Sequence, residues 1–183
     1  MYTGTNVTAL KSMKWLADAL ESAILTSPYQ KITIRDICSF ADVSRQTFYN
    51  LFESKDEVLH YCLRRKYEEM FDGLASESLL EMSSIINMYI TFYADNRGLI
   101  DCMINNHLEG VITEELSNSI STYLRRFVKH SGDDERVPYA TAMLAGALSQ
   151  LEVYLMKRGE TIEYERFYAL LSDFFDGELY SMK

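Results

Sequence analysis

The sequence predicts an all-α protein of about nine helices, in which an N-terminal three-helix helix-turn-helix unit is followed by a larger C-terminal helical bundle. Three observations support this fold class. Apolar residues recur at helical spacing along most of the chain. Two prolines and eight glycines in 183 residues leave few sites for the turns of a β protein. No segment shows the apolar–polar alternation of a half-buried strand.

The first helix is predicted from Val7 to Thr26. Met13, Ala17 and Leu20 recur at helical spacing, so one face of this helix would pack on the elements that follow. Ser27-Pro28 ends the helix, because the residue before a proline disfavours helical backbone.

Residues 31–59 contain two short helical patterns separated by a tight turn. Thr33 and Asp36 have the spacing of a capping box that starts the first of these helices. Asp42 occupies the turn, and Ser44 caps a second helix that runs to about Leu51. This arrangement predicts a helix-turn-helix, which places its second helix in the major groove of DNA.

A second capping box, Ser54 and Glu57, predicts a long helix from Lys55 to about Ala75. An acidic loop at 132–136 is expected to precede the last two helices. Pro138 suits a first helical turn and Gly159 a helix end. The remaining predicted helices are 80–94, 96–106, 113–130, 138–158 and 162–180.

Hydrogen-bonding side chains surround the short second helix. Arg and Gln can contact base edges in a bidentate way, whereas Thr, Tyr and Lys suit phosphate oxygens. The alternative is an ordinary three-helix core without a nucleic-acid role. The candidate DNA-binding residues are Thr33, Ser44, Arg45, Gln46, Thr47, Tyr49, Asn50 and Lys55.

This segment resembles the DNA-binding domain of the TetR/AcrR family of bacterial transcriptional regulators. The matching residues are T-I-R-D-I at 33–37, A-x-V-S-R at 41–45, T-F-Y at 47–49, Phe52, and S-K-D-E at 54–57. The resemblance implies phosphate contacts by Thr33, Ser44, Thr47, Tyr49 and Lys55. It places Arg45 and Gln46 nearest the bases. It also implies a homodimer that binds a palindromic operator and releases it when a small molecule binds.

The chain departs from the family pattern at three positions. Asp42 stands where the family usually has Gly, and Asp tolerates left-handed backbone better than most residues. Gln46 also replaces a frequent Gly and adds a side chain able to recognise adenine. Leu51 replaces a frequent His, so one phosphate contact of the family is missing.

Charge divides unevenly along the chain, whose formal net charge is −9. Residues 1–55, the predicted DNA-binding domain, carry six Lys/Arg and five Asp/Glu, for a net charge of +1. Residues 56–183, the predicted ligand-binding and dimerisation domain, carry twelve and twenty-two, for a net charge of −10. The weakly basic first domain predicts binding through placed contacts more than through a broad field.

The composition predicts a cytoplasmic protein. No run of eighteen apolar residues indicates a membrane span, and the N-terminus lacks the apolar core of a signal peptide. Cys38, Cys62 and Cys102 are odd in number and widely spaced, so we expect free thiols in a reducing compartment.

Aromatic residues and methionines are frequent on the first helices of the second domain. Either they form a simple core, or they line a ligand cavity between helices 55–75, 80–94, 96–106 and 113–130. Such a lining predicts a mainly apolar effector, while the nearby Asp95 and Asp101 leave a cationic ligand open. The candidate ligand-binding residues are Tyr67, Met70, Phe71, Tyr89, Phe92, Tyr93, Met103 and His107.

Signatures of catalysis are missing from the sequence. The histidines are isolated, and no nucleophile elbow, glycine-rich phosphate loop or zinc pattern occurs. The acidic pairs Glu68-Glu69 and Glu114-Glu115 are interpreted as solvated helix faces. We therefore expect no catalytic residues, no metal site and no cofactor.

The last two helices predict the dimer interface. Helices 138–158 and 162–180 carry more apolar surface than one domain of this size can bury on itself. The combined interpretation is a homodimeric, ligand-responsive repressor. An activator of the same family is the alternative, and a helical ligand-binding enzyme or carrier is the alternative from another class.

Overall fold

The computed structural model describes residues 1–75, 82–128 and 134–175, and these ranges contain helices and no strand. Two short 3-10 turns, Tyr29–Lys31 and Asp134–Arg136, accompany the α-helices. The helices are α1 (Val7–Ile24), α2 (Ile34–Ala41), α3 (Arg45–Leu51), α4 (Lys55–Ala75), α5 (Met82–Asp95), α6 (Arg97–Asn105), α7 (Glu109–Val128), α8 (Val137–Arg158) and α9 (Tyr164–Phe175). The predicted all-α fold class is confirmed. Several predicted features fall partly outside the described residues: the acidic loop 132–136 and the outer ends of helices 80–94, 113–130 and 162–180.

Local capping explains the helix-turn-helix segment. Thr33 accepts a hydrogen bond from the Asp36 N–H at 3.2 Å, and Asp36 accepts one from the Thr33 N–H at 3.0 Å. This is the predicted capping box. Asp42 ends α2 with φ 52° and ψ 42°, the left-handed conformation expected of the turn residue. Ser44 then accepts from the Thr47 N–H at 3.0 Å and starts α3.

Two predicted details near helix starts are wrong. Glu57 bonds to the Glu53 N–H at 2.9 Å, so only the Ser54 half of the second capping box forms. Helix α7 begins at Glu109, four residues before its predicted start. The reason is an early end to α6, because His107 adopts φ 60° and the Leu108 N–H bonds to the Met103 carbonyl at 2.9 Å.

Helix α4 is the shared element of the fold. It packs against α1 on one side and α7 on the other, and its buried stripe belongs to a core that also includes residues of α1, α3, α6, α7 and α8. The stripe consists of Val58, Leu59, Cys62, Leu63 and Tyr67. Because this core is continuous across residues 55 and 56, the division into domains 1–55 and 56–183 stays a prediction.

A buried carboxylate joins α4 to α7. Glu115 is fully buried and accepts hydrogen bonds from Nε and Nη2 of Arg64, at 2.8 and 2.9 Å. Nδ1 of His60 lies 3.2 Å from the same carboxylate. The interpretation of Glu114-Glu115 as a solvated face is therefore wrong for Glu115. Its burial is tolerated because the bidentate guanidinium satisfies both carboxylate oxygens.

Arg64→Ala is expected to destabilise the protein more than Glu115→Gln. Loss of the guanidinium leaves a buried carboxylate with only His60 beside it, which costs about 3–5 kcal/mol. Loss of the carboxylate leaves two side chains that are partly exposed and can rehydrate, at about 1–3 kcal/mol. Urea unfolding measures both values. Arg158→Ala, which removes an exposed pair with Glu160, is the control and should leave the midpoint unchanged. An equal loss for the two α4–α7 variants would contradict this account.

Candidate nucleic-acid interface and internal cavity

Four side chains on successive turns of α3 are exposed on its outer face. Arg45, Gln46, Tyr49 and Asn50 are exposed, while Phe48 is fully buried behind them. The spacing i, i+1, i+4, i+5 puts the four on one side of the helix. The rings of Tyr49 and Phe48 pack edge to face with centroids 5.5 Å apart, while Tyr49 stays half exposed.

Hydroxyl groups flank the start of this helix. Ser44 and Thr33 are exposed and Thr47 is half-buried. The Ser44 and Thr47 hydroxyls lie 2.8 Å apart, and the Thr33 hydroxyl donates to Asp36 at 2.7 Å. Each hydroxyl is thus oriented by a cap while remaining at the surface. The structure brings seven of the eight predicted DNA-binding residues to the surface on α3 or at the caps of α2 and α3.

Lys55 has a different environment. Its ammonium donates to the backbone carbonyls of Tyr29 at 2.7 Å and Ile32 at 3.0 Å, and it lies 4.1 Å from the centroid of the Tyr29 ring. The Tyr29 hydroxyl in turn donates to Asp56. Lys55 therefore joins the start of α4 to the segment that precedes α2. The two carbonyls take two of the three ammonium N–H groups, so the third can donate to a phosphate. The phosphate contact of Lys55 stays a prediction.

The comparisons with known proteins point to one family. Residues 17–62, from α1 to α4, match the family described as "Bacterial regulatory proteins, tetR family". The match covers about a quarter of the chain, so the helix-turn-helix region of this protein is similar to that of TetR-family regulators.

A curated relative matches part of the chain. The HTH-type dhaKLM operon transcriptional activator DhaS of Lactococcus lactis subsp. lactis (strain IL1403) is 30% identical over 61 residues. That alignment covers 33% of this chain and 33% of the relative, so the chain matches about a third of the relative's length.

Solved structures extend the likeness to nearly the whole fold. Lin0861 from Listeria innocua aligns with a TM-score of 0.72 at 17% identity, over 94% of this chain and 93% of that one. The dihydroxyacetone kinase operon activator DhaS aligns with a TM-score of 0.61 at 18% identity, over 91% and 95% of the two chains. At these identities the likeness shows the fold, which this chain therefore shares from its helix-turn-helix through its bundle.

An internal cavity of about 210 Å³ lies between α4, α5, α7, α8 and α9. Five of the predicted ligand-binding residues line this cavity: Tyr67, Met70, Phe71, Tyr89 and Phe92. Sequence analysis missed the contribution of the last two helices, from which Leu148, Glu152 and Phe167 reach the cavity.

The other three predicted ligand-binding residues lie outside this cavity. Met103 is fully buried in the core, and Tyr93 is buried with its hydroxyl donating to the Glu152 carbonyl at 3.2 Å. His107 is exposed in the turn after α6. Helix α6 contributes no lining residue, and the exposed Asp95 and Asp101 are likewise outside the cavity. Helix α6 packs on α1, α7 and α8 instead.

Glu152 is the acidic residue among the described residues around the cavity, and sequence analysis did not identify it. Its side chain is fully buried, and Oε2 accepts a hydrogen bond from the Tyr67 hydroxyl at 3.3 Å. Among the described residues, Oε1 has no hydrogen-bond partner. A signal was available, because Leu148, Glu152 and Leu155 follow at i, i+4 and i+7, which sets an acid inside an apolar stripe.

Burial raises the pKa of the Glu152 carboxyl from 4.5 to about 8, and the hydrogen bond from Tyr67 opposes that rise. The phenols around it are themselves held neutral, because burial raises the pKa of Tyr67 and of Tyr89 well above 10. Glu152 is therefore the cavity group that changes charge near neutral pH.

The described residues hold neither a cluster of metal-ligating side chains nor a membrane-spanning helix. No group of three or more His, Cys, Asp or Glu side chains is placed to hold a metal ion in the ranges 1–75, 82–128 and 134–175. In the same described part of the chain, no helix is long and apolar enough to cross a membrane. The thiols of Cys38, Cys62 and Cys102 are free.

The raised pKa of Glu152 predicts a specific pH dependence of stability. The folded protein keeps the Glu152 proton up to about pH 8, whereas the unfolded chain releases it near 4.5. The unfolded state therefore binds fewer protons in this window, so stability falls as pH rises, by up to about 1.4 kcal/mol per pH unit.

Glu152→Gln removes this contribution. Urea unfolding between about pH 4.5 and 8 should show the variant gaining stability relative to the wild type as pH rises, with no further gain outside the window. Glu114→Gln, an exposed acid on α7, is the matched control and should track the wild type. Parallel pH profiles for wild type and Glu152→Gln would contradict the buried, protonated Glu152.

Proposed function

We propose that this protein is a TetR-family regulator, a cytoplasmic, homodimeric, ligand-responsive repressor that binds a palindromic DNA operator. The observation that carries the proposal is the exposed polar face of α3, with Arg45 and Gln46 at its start. Within the described ranges, neither side chain takes part in a hydrogen bond or ion pair of the protein. Both are thus available for base edges, while Tyr49 and the Ser44 and Thr47 hydroxyls suit phosphates.

Operator release is assigned to α4. Its first turn is tied to the segment before α2 by Lys55, and its Tyr67, Met70 and Phe71 line the cavity some three to four turns further on. A ligand that shifts α4 would therefore shift the helix-turn-helix. It can do so only by the difference in its affinity for the DNA-binding and DNA-free conformations.

Activation is the second candidate function. The curated relative that matches a third of the chain is named as an operon activator. An activator needs the same α3 surface, and a transcription assay with and without the protein on its own operator distinguishes the two outcomes.

Arg45→Ala is expected to weaken binding to a site selected from random DNA by roughly 1–3 kcal/mol and to relax specificity at one base position per half-site. Fluorescence anisotropy on matched and mismatched duplexes measures both effects. Arg97→Ala removes the same charge from the start of α6, outside α3 and the proposed dimer helices, and should leave both duplexes unchanged. If the two arginine variants lose affinity equally and on all sequences alike, α3 is not the base-contacting helix.

The proposed dimer uses α8 and α9. Tyr139, Met143 and Tyr154 are exposed on α8 at positions i, i+4 and i+15, which share one helix face. Tyr168 and Leu170 are exposed on α9. Large apolar side chains at this exposure suit an interface burying on the order of 2,000 Å².

Met143→Glu is expected to convert the dimer into a monomer, because the carboxylate would be buried without a partner in the interface. Analytical ultracentrifugation of the wild type and variant measures the mass. Leu25→Glu is the matched control, since Leu25 at the end of α1 is 73% exposed and Met143 is 71% exposed. A monomeric wild type, or a dimeric Met143→Glu protein, would contradict the α8–α9 interface.

A further inference from the structure

The internal cavity is apolar over the whole of its described wall. None of the polar atoms of its described lining residues is exposed to the space. The Tyr89 hydroxyl donates to the Leu148 carbonyl at 3.0 Å, and the Tyr67 hydroxyl donates to Glu152 at 3.3 Å. The Tyr123 hydroxyl and Oε1 of Glu152 are buried. A ligand in the cavity therefore contacts apolar atoms of these residues and meets none of their hydrogen-bonding groups.

Three pairs of aromatic side chains line this space, and each pair joins two helices. The pairs connect α4 with α5, α4 with α7, and α5 with α9, and their ring centroids lie 4.6, 5.2 and 5.2 Å apart. The pairs are Tyr67–Phe92, Phe71–Tyr123 and Tyr89–Phe167. Met70 and Met88 complete part of the wall with flexible thioether chains that adapt to irregular shapes. Ring edges, ring faces and methionines suit a hydrocarbon ligand, including one with a ring of its own.

Such a wall discriminates against polar and charged ligands. A hydroxyl group that enters the cavity leaves its hydrogen bonds to water and finds no replacement, which weakens binding. An ionised group loses far more, and the described lining contains no Lys, Arg or His that could pair with an anion. A hydrocarbon loses no hydrogen bond on entry, and it gains hydrophobic and dispersion contacts.

We propose that the cavity binds a compact, uncharged hydrocarbon, such as a single ring with a short alkyl chain, and selects it by size and shape. Apolar cavities of roughly 150 Å³ stay dry and take up benzene, whereas drug-sized sites measure roughly 300–1,000 Å³. At about 210 Å³ this cavity lies between the two. The inference names the ligand class of the cavity, and it rests on the proposed effector role of that cavity.

The first test compares head groups of nearly equal shape. Ethylbenzene, benzyl alcohol, benzylamine and benzoate are titrated calorimetrically at neutral pH into the full-length protein without DNA. We expect ethylbenzene to bind at least about fivefold more tightly than benzyl alcohol, with no detectable binding of the two ions. An alcohol or ion that binds as tightly as ethylbenzene overturns the proposal.

The second test measures the size limit with alkylbenzenes from benzene to hexylbenzene. Affinity should rise about fourfold for each added CH₂ while the chain still fits. The rise should stop or reverse before hexylbenzene, because the closely packed wall cannot accept a longer chain. An undiminished rise to hexylbenzene indicates adsorption on an open apolar surface and overturns the proposal, and so does the absence of binding by every alkylbenzene.

The third test changes the cavity volume at one position. Leu148→Phe adds bulk to the cavity wall and should weaken ethylbenzene binding at least about tenfold, and thermal unfolding verifies that the variant is folded. Leu148→Ala enlarges the cavity, so the best-binding alkylbenzene should have a longer chain than in the wild type. Leu25→Phe makes the first substitution at a 73% exposed site on the end of α1 and should leave all affinities unchanged.

The two Leu148 variants provide independent outcomes. Unchanged ethylbenzene affinity in a folded Leu148→Phe protein overturns the assignment of the ligand to this cavity. If Leu148→Phe does not fold, Leu148→Ala decides the matter, because a chain-length preference identical to that of the wild type overturns the same assignment.

Operator binding separates this inference from the proposed function. If ethylbenzene binds in the cavity but leaves operator affinity unchanged, the hydrocarbon site stands and the effector role of the cavity fails. If operator binding by α3 is normal and no alkylbenzene binds, the regulator stands and the hydrocarbon inference fails.

Discussion

Burial of one face of α4 in both parts of the molecule is the constraint on which the rest of the structure depends. Val58 and Leu59 pack in the core that contains α1 and α3, and Tyr67 packs further along the same helix against Phe92. The polar contacts of α4 also reach both parts of the molecule. Arg65 donates to Asp18 of α1 at 2.7 Å, while Arg64 is bound by Glu115 of α7. A shift of α4 along its axis would disturb both sets of contacts at once.

This arrangement explains how an interior site could affect a distant surface. The cavity and the α3 face share no residue. The cavity is lined directly by α4, and α3 packs with α4 in the helix-turn-helix core. Close-packed side chains transmit displacement because they cannot compress. The proposed coupling would thus depend on one rigid helix, and it would require no continuous chain of polar contacts between the two sites.

Buried acids give the two ends of the bundle different properties. Glu115 is satisfied by a bidentate guanidinium and fastens α7 to α4. Glu152 has one weak phenol partner and retains an unsatisfied oxygen beside apolar space. The first arrangement is structural because its charge is already compensated. The second leaves a buried oxygen unsatisfied, and burial raises the pKa of this carboxyl because the charged form is poorly solvated there.

The sequence by itself determined the local structure of the helix-turn-helix. Thr33, Asp36, Asp42 and Ser44 act through backbone groups within a few residues, so their spacing alone predicted the caps, the turn and the exposed face of α3. The same holds for the aromatic lining supplied by α4 and α5, which repeats at helical spacing.

Only the tertiary structure decided which charged groups are buried and which helices enclose the cavity. Glu115 resembles its solvated neighbour Glu114 in sequence, and it is buried because Arg64, fifty-one residues earlier, faces it. Lys55 likewise donates to the carbonyls of Tyr29 and Ile32, which are distant from it along the chain. Met103 and His107 were assigned to the cavity because they follow the aromatic residues on the next predicted helix. That helix, α6, packs on α1, α7 and α8 instead. Helical periodicity is a local property, whereas the burial of a charge depends on partners that are distant along the chain.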